Sequence, residues 1–158
     1  MTCPKPKTML PLILAALLAP GFLCSCETPG RFAVTPTKIA DKVWAFSQSH
    51  PDGFTLDVFT MTEPKEGIAV SYAATQDSHS REQLDKVVEH ALRHDGYVGG
   101  WPNAADGLYY FDSTRLFPED ALDYAVRFGK ENGQHAVFVL STSTDIPVPT
   151  ETNTLSPP

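Results

Sequence analysis

Residues 68–101 read IAVSYAATQDSHSREQLDKVVEHALRHDGYVGGW, and this stretch decides the fold. Its middle is an amphipathic helix. Leu84, Val87, Val88, Ala91 and Leu92 fall at i, i+3, i+4, i+7 and i+8, a single apolar stripe. Ser80 and Gln83 form a capping box at the start, each side chain answering an unbonded backbone N–H of the other. Gly96 is the natural stop, because it accepts the left-handed conformation in which helices often end. The flanks differ in kind. Ile68 to Ala73 and Tyr97 to Trp101 are short, rich in β-favouring residues and bounded by turn residues. The stretch therefore reads strand, helix, strand.

The chain on the C-terminal side repeats the pattern. After a turn over Pro102 to Gly107, Leu108 to Phe117 (LYYFDSTRLF) predicts a long strand in a hairpin with the one before it. Pro118 suits the first position of a second helix, where its missing N–H loses no bond. Glu119 and Asp120 suit the positive end of that helix. Leu122, Ala125, Val126 and Gly129 give its inner stripe, the glycine permitting close approach to a sheet, and Asn132-Gly133 ends it. His135 to Leu140 (HAVFVL) predicts a last strand. On the N-terminal side, Thr37 to His50 predicts a short helix through Ile39, Val43 and Phe46, with Trp44 beside them. Pro51-Asp52-Gly53 breaks it. Phe54 to Thr60 predicts a strand, either a hairpin partner of Ile68 to Ala73 across the turn at Glu63 to Gly67 or an edge extension. From Ile68 onward the order is strand, helix, strand, strand, helix, strand, the split βαβ order. The expected class is α+β and ferredoxin-like: an antiparallel sheet with two helices on one face, the other face partly open, and an N-terminal helix and strand as an extension. This fold hosts many unrelated functions, so activity has to be argued from a site.

The first 25 residues read differently. Lys5 and Lys7 precede an uncharged run from Thr8 to Ser25 in which Met9 to Leu23 is mostly apolar, the pattern of a secretion signal. The run is shorter than the roughly 20 apolar residues a membrane-spanning helix needs, and Pro11 and Pro20 interrupt it. It ends Leu23-Cys24-Ser25-Cys26, which resembles the bacterial lipobox: an aliphatic residue, two small ones, then the cysteine that receives diacylglycerol. Cys26 is then the lipid anchor, its acyl chains, palmitate among them, holding through about 0.8 kcal/mol per buried CH2. A plain secretory signal cleaved elsewhere is the alternative. The expected organisation is a signal over residues 1–25, a tether over 26–37, one α+β domain over 38–146, and a disordered Pro- and Thr-rich tail over 147–158. The expected location is extracytoplasmic, lipid-anchored to the cell membrane or the outer membrane.

All three cysteines, Cys3, Cys24 and Cys26, lie in or beside the signal, so the folded part has no disulfide, thiol nucleophile or thiolate metal ligand. The formal net charge is −7, and loss of Lys5 and Lys7 with the signal makes it −9. An acidic chain without a basic cluster repels phosphate backbones, so no nucleic-acid partner is expected. No phosphate loop, dinucleotide fingerprint or Gly-x-Ser-x-Gly string occurs, and no cofactor is expected.

Five residues stand out as candidates for binding: Gln76, His79, Trp101, Asp112 and Arg115. Gln76 and His79 lie in the polar loop leading into the first long helix, where a helix N-terminus offers free N–H groups to an anion. Ser80 already fills part of that role as the cap. Trp101, after two glycines, presents an aromatic ring to a sheet face or covers the core edge. Strand alternation places Asp112 and Thr114 on one face, and Ser113 and Arg115 on the other. Arg115 would then clamp a ligand or form an exposed ion pair worth little, with Glu119 as one partner. His90 and His94, four apart on the helix, have zinc-ligand spacing if Glu89 or His79 joins them, but they lack the catalytic His-Glu-x-x-His arrangement. The structural reading of the pair is favoured and no metal site is expected.

Several strings in the folded part form a specific series. They are His50-Pro51-Asp52-Gly53-Phe54-Thr55, Gly67-Ile68-Ala69-Val70, Ala74-Thr75-Gln76-Asp77-Ser78 and Gly99-Gly100-Trp101. Tyr110 to Phe117 (YFDSTRLF) and Glu131 to Ala136 (ENGQHA) complete it. The series resembles a small bacterial domain without an assigned activity, which also occurs as one module in proteins of phage and mobile elements. The resemblance covers about Val43 to Val148 and implies a shared fold and no reaction; the lipoprotein signal departs from the mobile-element form. Together these readings predict a lipid-anchored, non-catalytic binding or accessory module with a protein or small-ligand partner. A small hydrolase using Gln76, His79, Asp112 and Arg115 is one alternative, and a membrane-tethered immunity or exclusion factor is another.

Overall fold

The structure, a computed structural model, describes residues 35–149. The signal at 1–25, the anchor Cys26 and most of the tether and tail lie outside the described residues. Helix α1 (Pro36–Ser47) starts with a proline in its first turn, and Thr35 caps it by accepting from the Lys38 N–H at 3.4 Å. Strand β1 (Phe54–Asp57) and strand β2 (Ile68–Ser71) follow. Helix α2 (Arg81–Arg93) carries the expected capping box in full: Ser80 Oγ accepts from Gln83 N at 3.2 Å, and Gln83 Oε1 accepts from Ser80 N at 3.1 Å. Gly96 ends the run at φ +79°, in the left-handed region. Strands β3 (Tyr97–Pro102) and β4 (Tyr109–Phe117), helix α3 (Leu122–Glu131), and strands β5 (Ala136–Val139) and β6 (Thr144–Pro147) complete the described residues. Among the described residues no helix is long and apolar enough to cross a membrane.

Among the described residues, six strands form one antiparallel sheet in the order β1-β3-β4-β2-β5-β6. The inner four, β3-β4-β2-β5, have the ferredoxin-like order, and β1 and β6 extend the sheet at its two edges. The three described α-helices cover the same face, as the register shows. Phe111, Ser113, Arg115 and Phe117 alternate onto one side of β4, opposite Gly100, Val98, Val70 and Ile68 respectively. Phe111 and Val98 join α1 (Ile39, Ala40, Val43) and α2 (Leu84, Val87, Val88, Ala91) in one buried cluster with Phe54 and Leu56 of β1. Ile68 and Val70 join Ala125 of α3, Val137 and Val148 in a second. Each buried Leu, Val or Phe in these clusters contributes roughly 1.5–3 kcal/mol relative to exposure. Gly129 serves as expected: a Cβ there would lie 3.0 Å from Val148 Cγ2 and 3.1 Å from Val137 Cγ1.

Several expectations are corrected. The strand after Gly53 does not pair with Ile68–Ser71 as a hairpin; it pairs with β3, at the sheet edge. It also stops at Asp57 rather than Thr60, because the Asp57 carboxylate accepts from the N–H groups of Phe59 and Thr60 at 2.8 and 3.1 Å and turns the chain. The strand from Ile68 stops at Ser71, and Ala73–Thr75 is a 3-10 turn. Pro118 opens another 3-10 turn, Glu119–Ala121, and α3 begins only at Leu122. Glu119 instead reaches back to accept from Gly67 N at 3.3 Å. The tail drawn from residue 147 by its Pro and Thr content is folded further than composition implied. Thr144–Pro147 pairs with β5, and Val148 is 6% exposed against Gly129.

Candidate functional site

The face of the sheet away from the helices carries Thr55, Gly99, Asp112, Trp101, Tyr110, Thr114, Ser71, Ala69, Phe138 and Asp145 by the same alternation. No described helix packs on it. A broad trough of about 1090 Å³ runs over this face, from the Asp52 turn beside β1 to Asp145 on β6. Gln76 and Asp77 line it together with Gly133, Gln134 and His135, the two segments joined where Gln76 Nε2 donates to Asn132 O.

Asp112 is the central group. Its residue is 6% exposed, and its carboxylate accepts from Trp101 Nε1 at 3.0 Å. Burial pushes its pKa up from 3.8 to about 6, against the lowering by that hydrogen bond and by the nearby Ser71 hydroxyl, and the nearby Asp77 carboxylate adds to the rise. Among the described residues no Lys, Arg or His side chain forms an ion pair with it. Trp101 is 45% exposed, and its ring stacks on Tyr110 with centroids 5.2 Å apart and planes 21° apart. Tyr110 is braced in turn. Its hydroxyl donates to Asp106 Oδ2 at 2.8 Å, and the His79 ring meets it edge-on at 5.7 Å. The result is a braced aromatic platform beside a buried carboxylate.

The loop from Tyr72 to Ser78 is bound to β4 as firmly as a strand. Beyond the end of β2 it takes over the free ladder groups of β4. Tyr72 N donates to Ser113 O at 2.9 Å, Phe111 N donates to Ser78 O at 2.7 Å, and Ser113 N donates to Thr75 Oγ1 at 2.8 Å. Thr75 is fully buried, and Ser78 Oγ donates to its carbonyl at 2.8 Å. Asn132 ties the same loop to the end of α3: its Oδ1 accepts from Ala73 N at 3.0 Å, and its carbonyl accepts from Gln76 Nε2 at 3.2 Å. Two of the strings singled out in sequence, ATQDS and ENGQHA, therefore meet in space. Asp77 sits in this anchored loop at φ +63°, a conformation that Asp tolerates better than most residues.

Of the five candidates, Gln76, Trp101 and Asp112 line the trough. His79 is exposed and reaches it only through Tyr110. Arg115 does not belong with them. It lies on the helix face, its Nε 3.8 Å from Asp95 Oδ1 and its guanidinium over the rings of Phe117 and Phe128 at 5.0 and 5.4 Å. Its partner is Asp95, where the sequence suggested Glu119. The four residues of the hydrolase alternative therefore do not converge. Asp77, Ser71 and Tyr110, none of them among the five, also line the trough. Tyr110 had a usable signal, since it shares the parity of Asp112 on β4.

A second polar cluster lies near Arg115, on the helix side. The rings of His90 and His94 stack at 3.8 Å with planes 11° apart, and the Tyr72 ring contacts both at 4.9 and 5.1 Å. The Tyr72 hydroxyl donates to Asp95, and its pKa is pushed up to about 12, by burial first and by that carboxylate second. His90 Nδ1 lies 2.9 Å from Ser113 Oγ, a hydroxyl–imidazole pair at catalytic distance. Ser113 is 0% exposed, so no substrate carbonyl reaches it. Among the described residues no group of three or more His, Cys, Asp or Glu side chains is placed to hold a metal ion. No family model, curated protein or solved structure matches the chain.

Proposed function

We propose that this chain is a lipid-anchored, extracytoplasmic binding module, tethered through Cys26, whose ligand lies in the trough over the helix-free face of the sheet. One observation carries the reading: an exposed indole, braced against Tyr110, lies over a wide concave surface and donates to a buried carboxylate at its floor. Exposed aromatics on rigid elements are effective anchors, since they bring large apolar area at little cost in side-chain entropy. The support beneath the platform is rigid too, with the Tyr72–Ser78 loop bonded to β4 and to Asn132. A hydrolytic reading gains nothing from this geometry, because the trough holds Asp112 and Gln76 without the arginine it would use.

Site-directed photocrosslinking in the native envelope tests the proposal. A photoreactive residue at Asp145, in the trough, is compared with one at Tyr124, which is 60% exposed on α3. A discrete adduct from position 145 that is absent from position 124 is expected. Equal adducts at both positions, or none at 145 with the chain correctly folded, overturn the reading.

A further inference from the structure

Resting on that reading of the trough, we infer that its occupant is cationic: an extended peptide segment bearing arginine or lysine side chains, with one cation seated over Trp101 and Tyr110. The lining carries five carboxylates, those of Asp52, Glu63, Asp77, Asp112 and Asp145, against a single lysine, Lys65. Such a surface attracts positive charge and concentrates it in the concavity. The aromatic platform fits the same ligand, because the face of a tryptophan ring attracts a guanidinium or ammonium group. The protein's own arginines already use this contact elsewhere, Arg115 over Phe117 and Phe128, and Arg127 over Tyr124 at 4.9 Å. Among the described residues no such contact falls on Trp101 or Tyr110.

Asp112 supplies an independent argument. It is nearly buried, it opens on the trough, and its hydrogen-bond partners are neutral. The carboxylate of Asp77 stands close enough to disfavour its charge. Two carboxylates sharing a concave site without a cation repel one another, and a ligand cation between them relieves that repulsion. Size argues for a peptide rather than a single amine. From β1 to β6 the sheet spans five strand spacings, about 24 Å, which an extended segment of about seven residues covers.

The test uses the full chain in detergent and fluorescently labelled peptides of about eight residues. One alternates arginine with serine, one alternates glutamate with serine, and a labelled chitooligosaccharide provides an uncharged comparison. The arginine peptide is expected to bind and the glutamate peptide not to. Its affinity should fall about tenfold between about 0.02 M and about 0.3 M salt, as screening shortens the reach of the carboxylates. Trp101→Ala should weaken it about tenfold. Because that variant removes a packed ring, Asp77→Asn and Asp145→Lys serve beside it. Asn keeps the left-handed geometry at 77 and residue 145 is exposed, so both should fold and each should lower affinity several-fold. Equal binding of the arginine and glutamate peptides, or arginine-peptide binding indifferent to all three substitutions, overturns the inference. Chitooligosaccharide binding that is lost in Trp101→Ala, with no peptide bound, also overturns it while leaving the trough as the binding site. Failure of the trough itself is read separately, from the crosslinking comparison.

Discussion

Replacing Asp112 with asparagine should stabilise the protein at neutral pH, and the size of the effect follows from the burial of that carboxyl. Its pKa stands at about 6 in the folded chain against an ordinary 3.8. A difference of about two units is about 3 kcal/mol, at 1.36 kcal/mol per unit. The sign follows from where protons are bound. Below about pH 4 both folded and unfolded chains hold the proton, and Asp112 contributes no pH dependence. Between about pH 4 and 6 only the unfolded chain releases it, so stability falls with rising pH by about 1.4 kcal/mol per unit. Above about pH 6 the loss is complete and the profile is flat. Asparagine keeps the shape and the acceptor for the Trp101 Nε1–H, which stands at 3.0 Å, and has nothing to ionise. Urea unfolding of both proteins at pH 4, 5, 6 and 7, followed by circular dichroism, isolates the effect as a difference. The other carboxylates titrate in both and cancel. The variant should match the wild type at pH 4 and exceed it by up to about 3 kcal/mol at pH 7. A difference that stays constant from pH 4 to 7, or a variant less stable at pH 7, would refute the argument. A carboxyl that lowers the stability of its own fold at neutral pH fits a binding role better than a folding one.

His90 should show the opposite slope. Burial, then His94 and neighbouring cations, lower its pKa, so stability is present above the ordinary histidine range and is lost as pH falls through it. His90→Asn, with an amide facing Ser113, should flatten that acid limb in the same urea series. Ser80→Ala removes the cap of α2 and should cost about 1 kcal/mol, read as a lower urea midpoint at an unchanged slope. Gly129→Val forces branched methyls against Val148 and Val137, where even a Cβ lies 3.0–3.1 Å away, and should cost about 1–3 kcal/mol in unfolding free energy. Labelling of expressing cells with radioactive palmitate should mark the wild-type chain and not Cys26→Ser; label retained by the serine variant would remove the anchor from that position.

The fold was legible where a local signal and the tertiary outcome agreed. The stripe and capping box of α2, the left-handed Gly96 and the close approach at Gly129 are local facts that tertiary structure leaves in place. Pairing was less legible. Phe54–Asp57 looks like a hairpin partner of Ile68–Ser71 because the two are separated by one turn, yet the register that buries Phe54 and Leu56 under α1 and α2 lies against β3. Pro118 misled for a related reason: it fits the first turn of a helix, but Glu119 is drawn back to Gly67 and the chain tightens before α3 starts. Thr144–Pro147 gave little sign of itself: residues 144–146 close the expected domain without a strand signal, and Pro147 and Val148 read as tail until Val148 is seen buried on Gly129.

The site was half legible, and strand parity explains which half. Asp112 and Arg115 are three apart on β4, so they point to opposite faces, and only Asp112 shares a face with Trp101 and Tyr110. Alternation along β4 already sets Arg115 opposite Asp112, and the structure takes it to Asp95 and the rings of Phe117 and Phe128, away from any ligand clamp in the trough. Asp77 could not be placed from sequence, because its position depends on a loop that borrows the hydrogen bonds of β4 and leans on Asn132, 55 positions further along. The same parity divides β4 by role. Phe111, Ser113 and Phe117 face the helices, while Tyr110, Asp112 and Thr114 face the trough. Substitutions at 110 and 112 should therefore alter binding at little cost to the core, whereas Phe111→Ala should cost about 3–5 kcal/mol of stability. If Phe111→Ala and Tyr110→Ala lowered stability equally, β4 would not divide in this way, and its trough-facing residues would be part of the fold's support rather than its binding surface.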